Sequence, residues 1–136
     1  MPDKHFKLEI ITPRRVAFSG DVVSFTAPGV IGSFQVLVNH APLLAEIGIG
    51  EAKFRDPHGN EFRYATSGGF VEVKQNHVVM LAESADRAEE INVAAAESDR
   101  DRALKEIADR ASAHDIERAK AELQVALNRI RVADKR

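Results

Sequence analysis

The chain changes its hydrophobic rhythm partway along. Through its first half apolar residues alternate with polar ones at period two: Phe6-x-Leu8-x-Ile10, Val23-x-Phe25-x-Ala27, Phe34-x-Val36-x-Val38, Phe62-x-Tyr64 and Val71-x-Val73. Such alternation puts one side of a strand in a core and the other in water. Turn-forming residues separate the runs: Thr12-Pro13, Ser19-Gly20-Asp21, Pro28-Gly29, Pro57-His58-Gly59-Asn60 and Gln75-Asn76. Many short strands with turns between them predict an antiparallel sandwich or flattened barrel. Parallel pairing is not expected, because no helix-length crossover separates the runs.

After Gly69 the chain contains neither glycine nor proline, and beyond about Glu89 its period becomes helical. From about Glu89 to Ala111, Ile91, Ala95, Ala103, Leu104, Ile107 and Ala111 form one narrow stripe, and from about Asp115 to Val132, Ile116, Ala119, Leu123, Leu127 and Ile130 form another. Ser112-Ala113-His114-Asp115 between them offers polar side chains to cap the second helix. A link this short predicts antiparallel neighbours. Both stripes are rich in alanine, so the pair buries little area per residue and is only weakly self-stabilised.

Composition sharpens this division without adding chemistry. The 136 residues carry a formal net charge of -2, with 44% hydrophobic and 29% charged residues. That is ordinary for a folded protein and gives no electrostatic reason to expect nucleic acid. Cysteine is absent, which excludes disulfides, zinc-thiolate sites and cysteine nucleophiles. No apolar run approaches the roughly 20 residues a bilayer requires, and Met1-Pro2-Asp3-Lys4-His5 lacks a secretory layout. The expectation is a cytoplasmic chain that meets membrane only through a partner.

Candidate chemistry is sparse. His5, His40, His58, His77 and His114 are scattered with no HxH or HxxxH pair, so they read as surface or turn residues rather than metal ligands. Thr66-Ser67-Gly68-Gly69 lacks the glycine pattern of a nucleophile elbow and reads as a strand-to-strand turn. Gly29-x-x-Gly32 and Gly48-x-Gly50 are too short for phosphate-binding loops. The charges of Glu97–Arg102, continuing to Arg110, lie three or four apart and read as solvated pairs on a helix. The expectation is a β domain with a helical pair, with no active site, cofactor or metal. A free-standing ligand-binding sandwich and a small hydrolase are the competing classes. The first lacks the aromatic residues usual at such sites, and the second lacks a nucleophile or acid–base set.

The stretch Val38-Asn39-His40-Ala41-Pro42-Leu43-Leu44 changes the picture. It resembles the H-A-P-L-L signature of the F-type ATP synthase epsilon subunit family, whose mitochondrial equivalent is the delta subunit. Ile11-Thr12-Pro13, Phe18-Ser19-Gly20, Pro28-Gly29-x-x-Gly32, Gly68-Gly69-Phe70-Val71-Glu72-Val73 and Val79-Met80-Leu81-Ala82-Glu83 stand in the family's order. The resemblance implies a ten-stranded antiparallel β-sandwich over residues 1–86 and an antiparallel α-helical hairpin over 87–136. It implies a non-catalytic central-stalk part that couples proton-driven c-ring rotation to ATP synthesis through the gamma subunit. The implied place is the cytoplasmic face of a bacterial inner membrane, or the organellar equivalent.

By the same resemblance, Ile31, Ser33, Phe34, His40 and Pro42 are the rotor-partner contacts. Phe34, Leu43 and Leu44 read equally as core, and core is the expectation for both leucines. The hairpin would restrain ATP hydrolysis through transient alpha and beta subunit contacts, with Arg110, Arg118, Lys120, Arg129 and Arg131 as candidates to face the beta subunit, although each taken singly reads as solvated helix surface. Some relatives bind ATP through an I/L-D-x-x-R-A motif. Here that segment is Ile91-Asn92-Val93-Ala94-Ala95-Ala96. Asn92 and Ala95 replace its charged residues, so no nucleotide site is expected.

Overall fold

A computed structural model describes residues 4–109 and 112–135. The chain forms two compact units, divided between Arg87 and Ala88. The first is a β-sandwich of eight strands: β1 (Phe6–Ile11), β2 (Val16–Val22), β3 (Ser24–Gly29), β4 (Gly32–Leu37), β5 (Leu43–Arg55), β6 (Glu61–Lys74), β7 (His77–Ala82) and β8 (Ala85–Arg87). Their order is β2-β1-β7-β6-β5-β3-β4, with β8 paired to β6.

The alternation of apolar residues is what closes this unit. Phe6, Leu8 and Ile10 on β1, Val78 and Met80 on β7, Val71 and Val73 on β6, and Phe25, Ala27, Val36 and Phe54 elsewhere are all buried in one cluster. Phe54 stacks on Phe62 at 5.1 Å between ring centroids, with Phe18 at 4.4 Å on its other contact and Arg87 over the Phe62 ring. Such aromatic packing adds to plain area burial.

Three sequence expectations change. Eight strands replace the expected ten, because β5 and β6 are single strands of 13 and 14 residues that each run on past a glycine. Their ladder steps from Ile47↔Gly69 to Ile49↔Ser67, passing Gly48 and Gly68, so a division at the glycines would count each strand twice. The sheet is not wholly antiparallel, since β1 and β7 pair in parallel from Lys7↔His77 to Ile11↔Leu81. The crossover rule constrains strands adjacent in sequence, whereas five strands lie between these two. Gly68 and Gly69 do take positive φ, 114° and 144°, but inside β6 rather than in a turn. There β6 exchanges β8 for β7 as its neighbour. The predicted turn at Gln75-Asn76 is present, with φ of 50° and 59°.

The second unit contains a short 3-10 turn (Ala88–Glu90) and two helices packed on each other, α1 (Val93–Ala108) and α2 (Ala113–Ala133). Asn92 caps α1 by accepting the Ala95 N–H at 3.0 Å, and Ser112 caps α2 by accepting the Asp115 N–H at 3.2 Å. These bonds satisfy amides that have no partner within the helix. The cap starts α1 four residues later than the periodicity suggests. The stripe of α1 also differs: Ile91, Ala96 and Ala103 are buried, whereas Ala95 and Leu104 are exposed. On α2 the buried positions are Ala119, Ala126, Asn128, Val132 and Ala133, while Leu123, Leu127 and Ile130 are half-buried. Ala111 lies outside the described residues.

Candidate functional site

Because successive side chains of a strand point to opposite faces, burial of one set exposes the other. On β1, β7, β6 and β5 the outward set forms two rows. Register aligns Ile11, Leu81, Phe70 and Glu46 in one row, and Glu9, Val79, Glu72 and Leu44 in the next. Three of these outward residues are large, apolar and open to solvent: Leu44 is 70% exposed, and Phe70 and Leu81 are each 52% exposed. A shallow groove of about 450 Å³ borders the first row, lined by Ile11, Pro13, Phe70, Leu81 and neighbouring backbone. Glu9 and His77 pair at 3.0 Å beside the second row. Soluble proteins seldom leave large apolar residues clustered on one face without a use for it.

The β3–β4 hairpin extends this face. Gly29 pairs with Ile47, and the Val30 N–H donates to the Glu46 carbonyl at 3.0 Å, so the hairpin tip continues the row that holds Phe70. Its two tip residues are apolar and exposed, Val30 at 56% and Ile31 fully. Ser33 is exposed on the same hairpin, and Phe34 is half-buried against the core. On the other side of β5, Pro42 is exposed and lines a small hollow with Leu44, Glu72 and Lys74. His40 is half-buried, with Nδ1 2.6 Å from the Ala41 carbonyl oxygen.

The structure therefore joins Ile31 and Pro42 to one face through Leu44, Phe70 and Leu81. Leu43 does pack against the core, but Leu44 points out, contrary to the expectation for both leucines. Phe70 and Leu81 were not singled out. The signal for all three was available: in Leu43-Leu44, Gly69-Phe70-Val71 and Met80-Leu81-Ala82 the alternation fails, with apolar residues on consecutive positions. A strand apolar on both faces has two surfaces to cover.

The basic residues of the second unit do not form one face. Arg118 and Arg129 are eleven positions apart, close to three full turns, as are Lys120 and Arg131. The two pairs are offset by two residues, about 200° around the helix. Arg118 lies 3.8 Å from Asp115 and 3.9 Å from Glu122, and Lys120 lies 3.6 Å from Glu117. Exposed pairs of this kind hold a cation only loosely. Arg131 is exposed, Arg129 is half-buried, and Arg110 lies outside the described residues. In the degenerate nucleotide segment Asn92 is occupied as a helix cap, and Ala95 offers no polar group.

Ser67 shares a hydrogen bond with Ser84. Among the described residues no three His, Cys, Asp or Glu side chains are grouped to hold a metal ion. Asp56, in the β5–β6 turn, has a carboxylate displaced from its usual range. It is held below that range chiefly by the Asn60 side-chain amide at 3.1 Å, and further by the backbone N–H groups of Asn60 and His58. This is turn closure, not a reactive group.

Comparison with known proteins decides the family. Residues 5–88 match the model of the ATP synthase delta/epsilon chain β-sandwich domain, and residues 89–134 match that of the delta/epsilon chain long α-helix domain. The chain belongs to the ATP synthase delta/epsilon family. An ATP synthase epsilon chain of Pelotomaculum thermopropionicum is 47% identical over 79% of this chain and 80% of its own length. That of Syntrophomonas wolfei is 38% identical over 99% and 98%. A chain in the Euglena gracilis mitochondrial ATP synthase has the same fold, with a TM-score of 0.81 and 18% identity. That match covers 94% of this chain and 81% of the Euglena one. Among the described residues, no helix of this family member is long and apolar enough to cross a membrane.

Proposed function

We propose that this chain is a non-catalytic rotor subunit of a proton-translocating ATP synthase, gripping the gamma subunit with its sandwich and facing the c ring with its hairpin tip. One observation carries the reading: the outward apolar set of Leu44, Phe70 and Leu81, continued by the fully exposed Ile31, on a sheet whose other face is sealed. A stiff β body with an apolar face suits torque transmission, since a close-packed core resists deformation and buried aromatic anchors dominate interface energy. The chain would then sit at the cytoplasmic face of a bacterial inner membrane, held there by the complex. The two C-terminal helices form an antiparallel hairpin that restrains hydrolysis by transient alpha and beta subunit contacts, with Arg118, Lys120, Arg129 and Arg131 as its cations.

Titration of the purified chain against the gamma subunit tests the grip. Phe70→Glu should weaken binding by at least roughly thirtyfold, since losing about 2 kcal/mol of apolar burial alone gives that factor and burying a charge adds to it. Equal affinity for wild type and variant would refute the assignment of this face. Ending the chain after Arg87, which keeps β8 intact, should raise ATP hydrolysis by the reconstituted complex. No rise would remove the inhibitory role and leave the coupling role standing.

A further inference from the structure

The geometry points to Asn76, on the β6–β7 hairpin, as the residue that positions the His40–Pro42 segment for its partner, an inference that takes the partner's identity from the proposed function. Asn39 precedes that segment and has φ of 64°, and Asn76 has φ of 59°. Their side chains close a reciprocal ring across 37 positions of sequence. The Asn39 N–H donates to Asn76 Oδ1 at 2.6 Å, and Asn76 Nδ2 donates to Asn39 Oδ1 at 2.8 Å. One amide thus holds both the backbone and the side chain of Asn39. The far end of the ring is anchored, because the Asn76 carbonyl accepts the Lys7 N–H at 3.0 Å.

Consequences follow for the contact segment. The dihedrals of Asn39 set the direction in which His40 leaves β4. The His40 N–H returns to the Leu37 carbonyl at 3.2 Å, and three residues later β5 begins at Leu43. Asparagine tolerates left-handed φ but does not enforce it, so the ring is what selects this conformation in the free chain. A segment already ordered gives up less entropy on binding than one that must be ordered by its partner. Asn76 accordingly acts through Asn39 and need not touch the partner.

The test uses the full chain. Asn76→Gly removes the amide while accepting the positive φ of position 76, and it should lower Tm by no more than about 8 °C, so the chain stays folded. Asn39 N–H exchange should quicken by roughly fivefold and gamma subunit affinity should fall by a similar factor. Asn39→Ala should weaken binding at least as much, and the double variant should be no weaker than Asn39→Ala alone. Unchanged exchange at Asn39 in Asn76→Gly, or losses that simply add in the double variant, would overturn the inference. If the wild-type chain fails to bind gamma, the proposed function falls, and the exchange measurement still decides whether Asn76 orders this segment.

Discussion

Gly69→Ala is the substitution whose cost the structure defines best. Gly69 has φ of 144° in the middle of β6, beside Phe70 of the apolar face. A methyl group there would fall on the Leu81 carbonyl oxygen, and would lie 2.8 Å from the Leu81 carbonyl carbon and 2.9 Å from Ala82 Cα. All three are backbone atoms of the neighbouring strand, so no side chain can swing aside. The penalty has two parts: about 1–3 kcal/mol for an L-residue at this φ, and a further ~2 kcal/mol for prising β7 from β6.

Gly32 separates the two parts. Its φ is 148°, but a methyl group there meets nothing within 4 Å. Gly32→Ala therefore reports the backbone penalty alone. At about 4–8 °C per kcal/mol for a unit of this size, Gly32→Ala should lower Tm by roughly 4–24 °C and Gly69→Ala by about twice as much. Scanning calorimetry of the two variants beside wild type reads the difference directly. Equal shifts, or a smaller one for Gly69→Ala, would show that the β6–β7 contact does not limit this position.

Other outcomes follow from single contacts. Asn92→Ala removes the α1 cap and should cost the helical unit about 1 kcal/mol, read by circular dichroism during thermal unfolding; a change under roughly 0.3 kcal/mol would contradict the capping role. The depressed pKa of Asp56 means that its turn is supported above the ordinary carboxylate pKa of about 3.9 and loses that support as pH falls through the lower folded-state value. Protection of the Asn60 amide should therefore fall only at pH below that ordinary value, and Asp56→Asn should abolish the pH dependence. Calorimetry with MgATP should show no saturable heat at sub-millimolar nucleotide, since Asn92 is occupied as a cap and Ala95 cannot contact a phosphate; a clear isotherm would reject this.

Much of the fold was legible because burial imposes a period on sequence. Phe6, Leu8 and Ile10 announce β1 without reference to any other strand, and the helical spacing beyond Glu89, in a stretch without glycine or proline, announces helices. Gln75-Asn76 was readable as a turn because few residues accept positive φ. Leu44, Phe70 and Leu81 were harder, because a doubled apolar position looks like extra core until the strand's inner face is known. Ala95 and Leu104 misled for a related reason. A narrow stripe of alanines leaves the rotation of a helix open by a residue, and the Asn92 cap together with packing against α2 settled it.

What the sequence determined alone is therefore local: strand and helix periods, turn chemistry, the absence of cysteine, and the ordered motifs that mark the family. Tertiary structure decided what depends on distant partners. The parallel pairing of β1 with β7, the pairing of β6 first with β8 and then with β7, and the meeting of Asn39 with Asn76 are all decided by the tertiary fold. Their cause is the closing of one core, which selects among many pairings of similar local energy. The same closure turned Leu44, Phe70 and Leu81 outward: once Val71, Met80 and Leu43 face the core, the pleat leaves their neighbours no other side.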